Sequence, residues 1–189
     1  MARDVFAAEM EGVFRSAGVR GADSACMIVA LDGFADFLDL HGNAAANHLA
    51  EQFGNRILSV VRSQDIVTRL DQNKIAIGLH PSHQLDLEAC IQMAGRIQSV
   101  VEEPVTLNGT GVYVSCSIGF SQLSSVADGP YEGWIDAASA ALGEAQRNGP
   151  STIRAFSSET RRRSRIRTNL REEFDAALDS GEIRPWFQP

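Results

Sequence analysis

We predict a mixed α/β fold, of the α+β kind, because strand-like apolar runs alternate with helical periodicities along the 189 residues. Residues 26–31 form an apolar run with the length of a buried strand. Residues 66–70 and 73–79 have the pattern of a β-hairpin. Because 44% of the residues are apolar, the chain can bury one complete core, which predicts a single compact domain with an appended segment.

The first strand is followed by a predicted helical pair and then by the hairpin, with Asp71 and Gln72 at the hairpin tip. The helical face after the first strand carries Leu49, Phe53, Ile57, Val60 and Val61. The helix after the hairpin carries Cys90, Met93, Ala94, Ile97, Val100 and Val101. Both sets recur at steps of three and four residues, which is the spacing of a helix with one buried face.

The rest of the domain is predicted to contain two more strands and one more helix. Asn108 and Gly109 form a strong turn signal. The elements after it are a half-buried strand at 112–120, where apolar and polar residues alternate, an alanine-rich helix at 137–146, and a closing strand at 152–156. Gly149 and Pro150 end the helix.

Composition and charge argue against several classes of protein. The formal net charge of -7 argues against a general nucleic-acid surface. No apolar run approaches the roughly 18 to 20 residues that a bilayer span needs, and no secretory signal precedes the domain. We therefore expect a soluble cytoplasmic protein with no direct membrane insertion.

The cysteines and histidines do not predict a metal site. Cys26, Cys90 and Cys116 are odd in number, widely spaced and set among apolar residues, so we expect reduced core thiols. His80 and His83 flank a proline and a serine, which is typical of a surface loop.

The most informative pattern lies between the two halves of the domain. Arg62-x-x-Asp65, followed by Arg69 and then Asp71-Gln72-Asn73-Lys74-Ile75, resembles the segment of diguanylate cyclases that reads Arg-x-x-Asp and then Arg-x-Gly-Gly-Asp/Glu-Glu-Phe. Ser117-Ile118-Gly119 resembles the Ser-Ile-Gly strand of the same GGDEF family. The order of elements also matches that family up to residue 156. The resemblance implies a GGDEF, nucleotidyl-cyclase-like fold whose central, mostly antiparallel sheet of about five strands is flanked by helices.

The resemblance implies that the Mg²⁺ site of the family is lost, so that we expect no cofactor and no catalytic residue. Ala30 and Asn73 stand at the positions of the two metal ligands, and Lys74 places a positive charge where the family has an acid. Phosphoryl transfer between nucleotides depends on metal ions that neutralise the phosphates. Asp32 and Asp71 remain as nearby carboxylates, but turns favour aspartate for local backbone hydrogen bonds.

The positions that contact the nucleotide differ from the family as well. Leu38 and Asn47 replace the guanine-reading residues, and Gln146 and Pro150 replace the phosphate-binding Lys and Arg. At the signature itself, Asp71 and Gln72 replace its two glycines and Ile75 its phenylalanine. The resemblance therefore implies a chain without cyclase activity.

The inhibitory site of the family, where the product cyclic di-GMP binds, matches this chain at Arg62, Asp65 and Arg96. An arginine fork can donate to guanine O6 and N7 together, and a carboxylate can accept from guanine N1 and N2 hydrogens. The alternative is that Arg62 and Asp65 form a solvated ion pair of little energetic value and that Arg96 is an ordinary surface residue.

The C-terminal segment carries a second resemblance, which divides the chain into a degenerate GGDEF domain at 1–156, a linker helix at 157–182 and the start of a truncated domain at 183–189. The apolar residues Ile166, Leu170, Phe174 and Leu178 recur every four residues. The segment from Leu170 to Pro189 resembles the linker and opening strand of EAL phosphodiesterase domains. We expect the stripe to be covered by this domain, by a second copy in a homodimer, or by the EAL domain of the parent chain. The arginines at 161–171 are interpreted as a solvated linker face, with nucleic acid or acidic lipid as the alternative.

Three functions stay open on the sequence. The leading one is an inactive GGDEF module that regulates a downstream phosphodiesterase and binds cyclic di-GMP through Arg62, Asp65 and Arg96. The second is a dimerisation or docking module without a ligand. The third is a cyclase or other nucleotide transferase that uses Asp32 and Asp71.

Overall fold

The computed structural model of the chain describes residues 2–107, 109–126 and 131–157. The chain divides into two units, Met1–Phe156 and Ser157–Pro189. The predicted linker helix with its apolar stripe, the arginine-rich segment and the opening of the EAL domain all lie outside the described residues. No helix of the described part is long and apolar enough to cross a membrane.

The first unit contains four long helices and seven strands within the described residues. The helices are α1 (Ala2–Arg20), α2 (Phe34–Val60), α3 (Leu87–Val101) and α4 (Tyr131–Arg147). The strands are β1 (Ala25–Leu31), β2 (Ile66–Asp71), β3 (Lys74–Gly78), β4 (Val105–Leu107), β5 (Thr110–Val112), β6 (Cys116–Gln122) and β7 (Ile153–Ala155), and a short 3₁₀ helix covers Leu123–Ser125.

Five of the strands form one sheet in the order β2-β3-β1-β6-β7. All neighbours are antiparallel except β6 and β7, which are parallel. The predicted fold class, a mixed α/β domain with a mostly antiparallel five-stranded sheet flanked by helices, is confirmed. β4 and β5 form a separate hairpin whose turn contains Gly109 at φ 81°, as the turn signal predicted.

The sheet is covered on both faces, so the domain has two apolar layers. Along β1, Met27 and Val29 belong to the core cluster that also contains buried residues of α2 and α3. Ile28 and Ala30 belong to the cluster on the opposite face, with buried residues of α1 and α4. Every residue of β1 is buried as a result, because alternate side chains of a strand point to opposite faces of a sheet.

The predicted half-buried strand at 112–120 is wrong in two respects. The chain leaves the β4-β5 hairpin after Val112 and enters the main sheet only at Cys116. Tyr113 between them is 79% exposed. β6 is buried on both faces because α4 covers the side on which Ser117 had been expected to meet solvent. The alternation of apolar and polar residues continues through both strands, so nothing in the sequence indicated that the chain leaves one strand and enters another.

α1 was absent from the predicted elements. Its buried side chains, Phe6, Met10, Val13 and Ala17, recur at helical spacing, so the signal was present in the sequence. α1 packs against the sheet where Gly78 of β3 leaves room: a Cβ at Gly78 would lie 2.2 Å from the sulfur of Met10.

The predicted helical pair is confirmed in α2, where Gly42 adopts non-helical angles of φ 77° and ψ 172° within the helix. The predicted hairpin is also present, but its tip is shifted by one residue. Asp71 pairs with Lys74 in the ladder, so Gln72 and Asn73, not Asp71 and Gln72, form the two-residue turn. Cys26, Cys90 and Cys116 are buried free thiols, as predicted.

Candidate functional site

Two regions of the domain hold the residues that the sequence singled out, one at the C-terminal end of β1 and the other beyond the end of α2. At the first, the register of β1 and β3 places Ala30 directly opposite Lys74. Ala30 is fully buried, and its methyl group cannot ligate a cation. At both positions the family has an acidic residue that this chain is predicted to lack. The charge that the pair carries here is the ammonium group of Lys74.

Asp32, one of the two remaining carboxylates, is held by hydrogen bonds within the chain. Its two oxygens accept from the hydroxyl groups of Ser115 at 2.9 Å and Ser117 at 2.8 Å and from the backbone N–H of Ser151 at 2.9 Å. Ser151 adopts φ 55°, a conformation uncommon for a residue with a side chain. These bonds join the end of β1 to β6 and to the turn before β7.

Asp71, the other carboxylate, makes a local turn contact. Its Oδ1 accepts from the backbone N–H of Gln72 at 2.7 Å, the kind of bond for which turns favour aspartate. Gln72 in turn donates from its side-chain amide to Oδ1 of Asn47 at 3.4 Å. The backbone carbonyl of Asn73 accepts from Leu31 at 2.9 Å. The hairpin tip is therefore bonded to β1 and to α2.

The other positions predicted to contact the nucleotide carry uncharged side chains. Leu38 is partly buried and packs against the core, and Ile75 is a core residue with 2% exposure. Gln146 and Pro150 are exposed at the end of α4 and in the following turn. Among the described residues, no group of three or more His, Cys, Asp or Glu side chains could hold a metal ion.

The second region is a pocket of about 290 Å³ to which Arg62, Asp65 and Arg96 all contribute. We call it the arginine pocket. Arg62 and Asp65 lie in the turn between α2 and β2, and Arg96 lies on α3. The structure thus brings together all three residues of the predicted inhibitory-type site. The rest of the lining comes from the loop between β3 and α3 and from α3 itself: Leu79, His80, Ser82, Gln84, Leu85, Ala89, Gln92 and Met93.

Asp65 positions the turn that carries Arg62. One carboxylate oxygen accepts from the backbone N–H of Arg62 at 2.8 Å, and the other accepts from the backbone N–H of His80 at 2.8 Å. The backbone N–H of Asp65 also donates to the carbonyl of Arg62 at 3.0 Å. Because an ionised carboxylate offers about four acceptor positions, each oxygen of Asp65 retains acceptor capacity toward a ligand.

The two guanidinium groups of the pocket have no partner within the described part of the chain. Arg62 and Arg96 are exposed, and neither side chain makes a hydrogen bond or ion pair to another described residue. The alternative of an Arg62–Asp65 ion pair is therefore wrong for the structure described, since the carboxylate binds backbone N–H groups instead. Two fixed positive charges and one carboxylate suit an anionic ligand with a hydrogen-bonding edge.

The sequence did not predict the loop that completes the pocket. Residues 79–85, which we call the wall loop, had been interpreted only as a surface loop around His80 and His83. It is indeed a loop, but four of its residues besides His80 line the pocket. Gln92 and Met93 could have been found from their spacing, since they lie three or four residues before Arg96 on one helix.

Residues 1–152 match the profile of the family described as diguanylate cyclase, GGDEF domain. Among curated proteins, the chain is 26% identical over 174 residues to the cyclic di-GMP phosphodiesterase NbdA of Pseudomonas aeruginosa, an alignment that covers 90% of this chain and 21% of that protein. It is 26% identical over 171 residues to an uncharacterized signaling protein of Caulobacter vibrioides, covering 89% and 21%. The chain spans about a fifth of the length of the curated relatives it matches.

Solved structures of the same fold include the GGDEF domain of YfiN (TpbB) from Pseudomonas aeruginosa, with a TM-score of 0.79, 24% identity and coverage of 86% of this chain and 94% of that chain. The GGDEF domain of DgcB from Caulobacter crescentus, solved in complex with c-di-GMP, has a TM-score of 0.73, 17% identity and coverage of 81% and 89%. An EAL/GGDEF domain protein from M. capsulatus has a TM-score of 0.64, 25% identity and coverage of 72% and 86%.

Proposed function

Since this chain belongs to the GGDEF domain family, we propose that it is a catalytically inactive regulatory module of cyclic di-GMP signalling that binds cyclic di-GMP in the arginine pocket. The observation that carries the proposal is the convergence of Arg62, Asp65 and Arg96 on one pocket. These residues come from two separate segments of the chain. Their meeting in one pocket is the arrangement that a common ligand requires.

The geometry of the pocket supports a guanine-containing anion as its ligand. A guanidinium group can donate to guanine O6 and N7 at once, and the free acceptor positions of Asp65 can receive the N1 and N2 hydrogens. The second arginine adds a charge for the phosphate. Leu85 and Met93 supply apolar surface against which a base can pack.

The contacts at the end of β1 support the proposed loss of catalysis. Ala30 and Lys74 face each other where metal ligands are needed, and an ammonium group repels a divalent cation. Asp32 already accepts three hydrogen bonds from serine residues. A triphosphate with Mg²⁺ would have to displace these bonds and would still lack a pair of carboxylates around the metal.

The parent protein, we propose, is a GGDEF-EAL protein in which this module controls a cyclic di-GMP phosphodiesterase domain that follows it. The relative NbdA carries the name of a cyclic di-GMP phosphodiesterase, and the M. capsulatus relative is called an EAL/GGDEF domain protein. The likeness of residues 170–189 to the start of an EAL domain supports the same arrangement. The controlled partner is then the EAL domain of the same chain.

Calorimetric titration of the chain with cyclic di-GMP, and separately with GTP and Mg²⁺, tests this proposal. Saturable binding of cyclic di-GMP without heat from GTP is the expected result. Binding of GTP with production of cyclic di-GMP would instead support the cyclase alternative that uses Asp32 and Asp71. The absence of any nucleotide binding at millimolar concentration would support a ligand-free docking module.

One observation favours that docking function as the second candidate. Leu87 and Ile91, four residues apart on α3, are 49% and 47% exposed, so they form an apolar strip on the helix that carries Arg96. Exposed apolar side chains that share one helix face are typical of contact surfaces. Replacing both with serine and measuring mass by light scattering tests this second candidate: a homodimer held by this strip would dissociate, and an unchanged mass would count against the docking function.

A further inference from the structure

Asp23 lies outside the arginine pocket, in the turn between α1 and β1. Its carboxylate accepts hydrogen bonds from the backbone N–H groups of Ser24 at 2.8 Å and Ser124 at 3.1 Å, and from the hydroxyl of Ser124. The side-chain amide of Gln122 donates to it at 3.4 Å. One side chain therefore joins the start of β1 to the end of β6 and the 3₁₀ turn after it.

The wall loop of the arginine pocket is bonded to this same point. The backbones of Asp23 and Ser82 exchange two hydrogen bonds, of 3.3 and 2.9 Å. The buried hydroxyl of Ser24 donates to the carbonyl of Leu79 at 2.6 Å, and Gln122 donates to the carbonyl of Leu85 at 3.3 Å. Both ends and the middle of the wall loop are thus held by Asp23 and by two of its hydrogen-bonded neighbours, Ser24 and Gln122.

The opposite side of the wall loop bonds to the pocket's own carboxylate, because the backbone N–H of His80 donates to Asp65. A continuous series of hydrogen bonds therefore runs from Asp23 through the wall loop to Asp65, and Asp65 in turn fixes Arg62. The bonds between Asp23 and Ser82 and between His80 and Asp65 each join segments distant in sequence, so the position of the loop depends on both contacts.

We infer that Asp23 is a positioning residue of the arginine pocket. It attaches the wall loop to the end of α1, and the affinity for cyclic di-GMP depends on this attachment. Asp23 follows the last turn of α1 directly: the N–H of Ala22 donates to Ala17 of that helix at 3.3 Å, and Gly21 turns the chain at φ 61°. A displacement of α1 against the sheet would reach the wall loop through Asp23. The inference rests on the proposed function, and it identifies α1 as the element that regulates the arginine pocket.

The coupling must act in both directions, because an element that changes ligand affinity is itself stabilised or destabilised by the ligand. Bound cyclic di-GMP should therefore slow hydrogen exchange at the N–H of Asp23, which donates to the wall loop at Ser82. The N–H groups of β4, which contributes no residue to the pocket lining, should keep their exchange rates.

Asp23→Ala tests the inference, with Glu102→Ala as the matched control. The substitution leaves the two backbone hydrogen bonds between Asp23 and Ser82 in place and removes the carboxylate that holds the Asp23 segment to Ser124 and Gln122. Glu102 is a carboxylate of similar burial that accepts from the N–H of Cys116 and the hydroxyl of Ser151, and it lies at the end of α3 remote from the pocket. Both variants lose hydrogen bonds that join segments of the sheet. Hydrogen exchange of the wall loop in the free protein and calorimetric affinity for cyclic di-GMP are measured for each.

We expect Asp23→Ala to speed exchange at the N–H groups of His80 and Ser82. Cyclic di-GMP binding should weaken by about 5- to 30-fold, because binding must then supply loop order worth about one or two ordinary hydrogen bonds. Glu102→Ala should change neither. Unchanged exchange in Asp23→Ala would overturn the inference whether or not the ligand binds. Faster exchange with unchanged affinity would overturn the link to the ligand and leave the proposed function intact. No binding by the unmutated chain would refute the proposed function, and with it the regulatory role of α1.

Discussion

The carboxylate of Asp65 accepts a hydrogen bond from the backbone N–H of Arg62 at 2.8 Å, so the aspartate of the pocket also fixes the turn that presents the arginine. The two residues therefore have separable roles. Asp65 is partly buried and makes two bonds to backbone N–H groups, whereas the exposed side chain of Arg62 makes none to the described residues.

Asp65→Ala should lower both stability and ligand affinity. Leaving the N–H groups of Arg62 and His80 without this acceptor should reduce the free energy of unfolding by about 1–3 kcal/mol. Urea unfolding together with calorimetry checks both quantities. Arg62→Ala is the control, because it should lower the affinity and leave the urea midpoint in place. Equal stability of Asp65→Ala and the unmutated chain would show that the turn does not depend on this carboxylate.

The chain should form no cyclic di-GMP from GTP and Mg²⁺, and Ala30→Asp combined with Asn73→Glu should not restore synthesis. The acid at position 30 would still face Lys74 in the ladder, and Leu38 remains an apolar side chain packed against the core. Chromatographic detection of product over hours measures this. Steady synthesis by the unmutated chain that disappears in Asp32→Ala would contradict it.

Gly119→Ala should destabilise the domain strongly. A Cβ at Gly119 would lie 1.9 Å from the backbone nitrogen of Leu142 and 2.6 Å from the carbonyl oxygen of Ala138, so α4 would have to move off β6. Overpacking of this kind costs about 1–3 kcal/mol or more. The midpoint of thermal unfolding is the measurement.

Gly95→Ala is the matched control for that substitution. A Cβ at Gly95 would meet nothing within 4 Å, and alanine in a helix is favoured over glycine by about 0.5–1 kcal/mol. The control should therefore raise the midpoint slightly. A similar loss of stability in both variants would mean that the contact between β6 and α4 is not what Gly119 serves.

The three buried thiols should be unreactive in the folded chain. Burial, with a smaller contribution from the carboxylates of Asp23 and Asp86, raises the pKa of Cys90 from 9.0 to about 12, and burial likewise raises the pKa of Cys26 and Cys116. The folded chain then holds thiol protons that the unfolded chain loses. The contribution of the thiols to the free energy of unfolding should be constant below about pH 8.5 and should fall as the pH rises toward 12.

A colourimetric thiol reagent at pH 8 checks the prediction. It should detect almost no thiol in the native chain and three per chain in urea. Fast reaction of one thiol in the native chain would show that the corresponding core region opens readily.

The elements with a simple burial pattern could be predicted from the sequence, and those set by tertiary contacts could not. β1 is buried on both faces and forms a continuous apolar run, and α3 has one buried face with a clear period. The alternation at 112–120 gave no sign that Tyr113 leaves the sheet, because alternation in sequence does not show whether two stretches pair with the same neighbour. The one-residue shift of the hairpin tip came from the pairing of Asp71 with Lys74.

The candidate site was predictable to the same extent. Arg62, Asp65 and Arg96 were identified from the resemblance to the inhibitory site of the family, and the structure places them in one pocket. The path of the wall loop could not be predicted, since it depends on hydrogen bonds between Ser82 and Asp23 and between Leu85 and Gln122, which is 37 residues away. Contacts between distant loops leave no periodic signal.

Titration of cyclic di-GMP into the unmutated chain, Arg62→Ala and Arg154→Ala, at one fixed ionic strength, tests the arginine pocket most directly. Arg154 is an exposed arginine on β7, at the opposite edge of the sheet from β2, so it controls for the loss of one positive charge. The unmutated chain and Arg154→Ala should bind with the same Kd, and Arg62→Ala should bind about 5- to 150-fold more weakly, as the loss of a bidentate contact to guanine implies. Equal affinity of Arg62→Ala and the unmutated chain would contradict the proposed site.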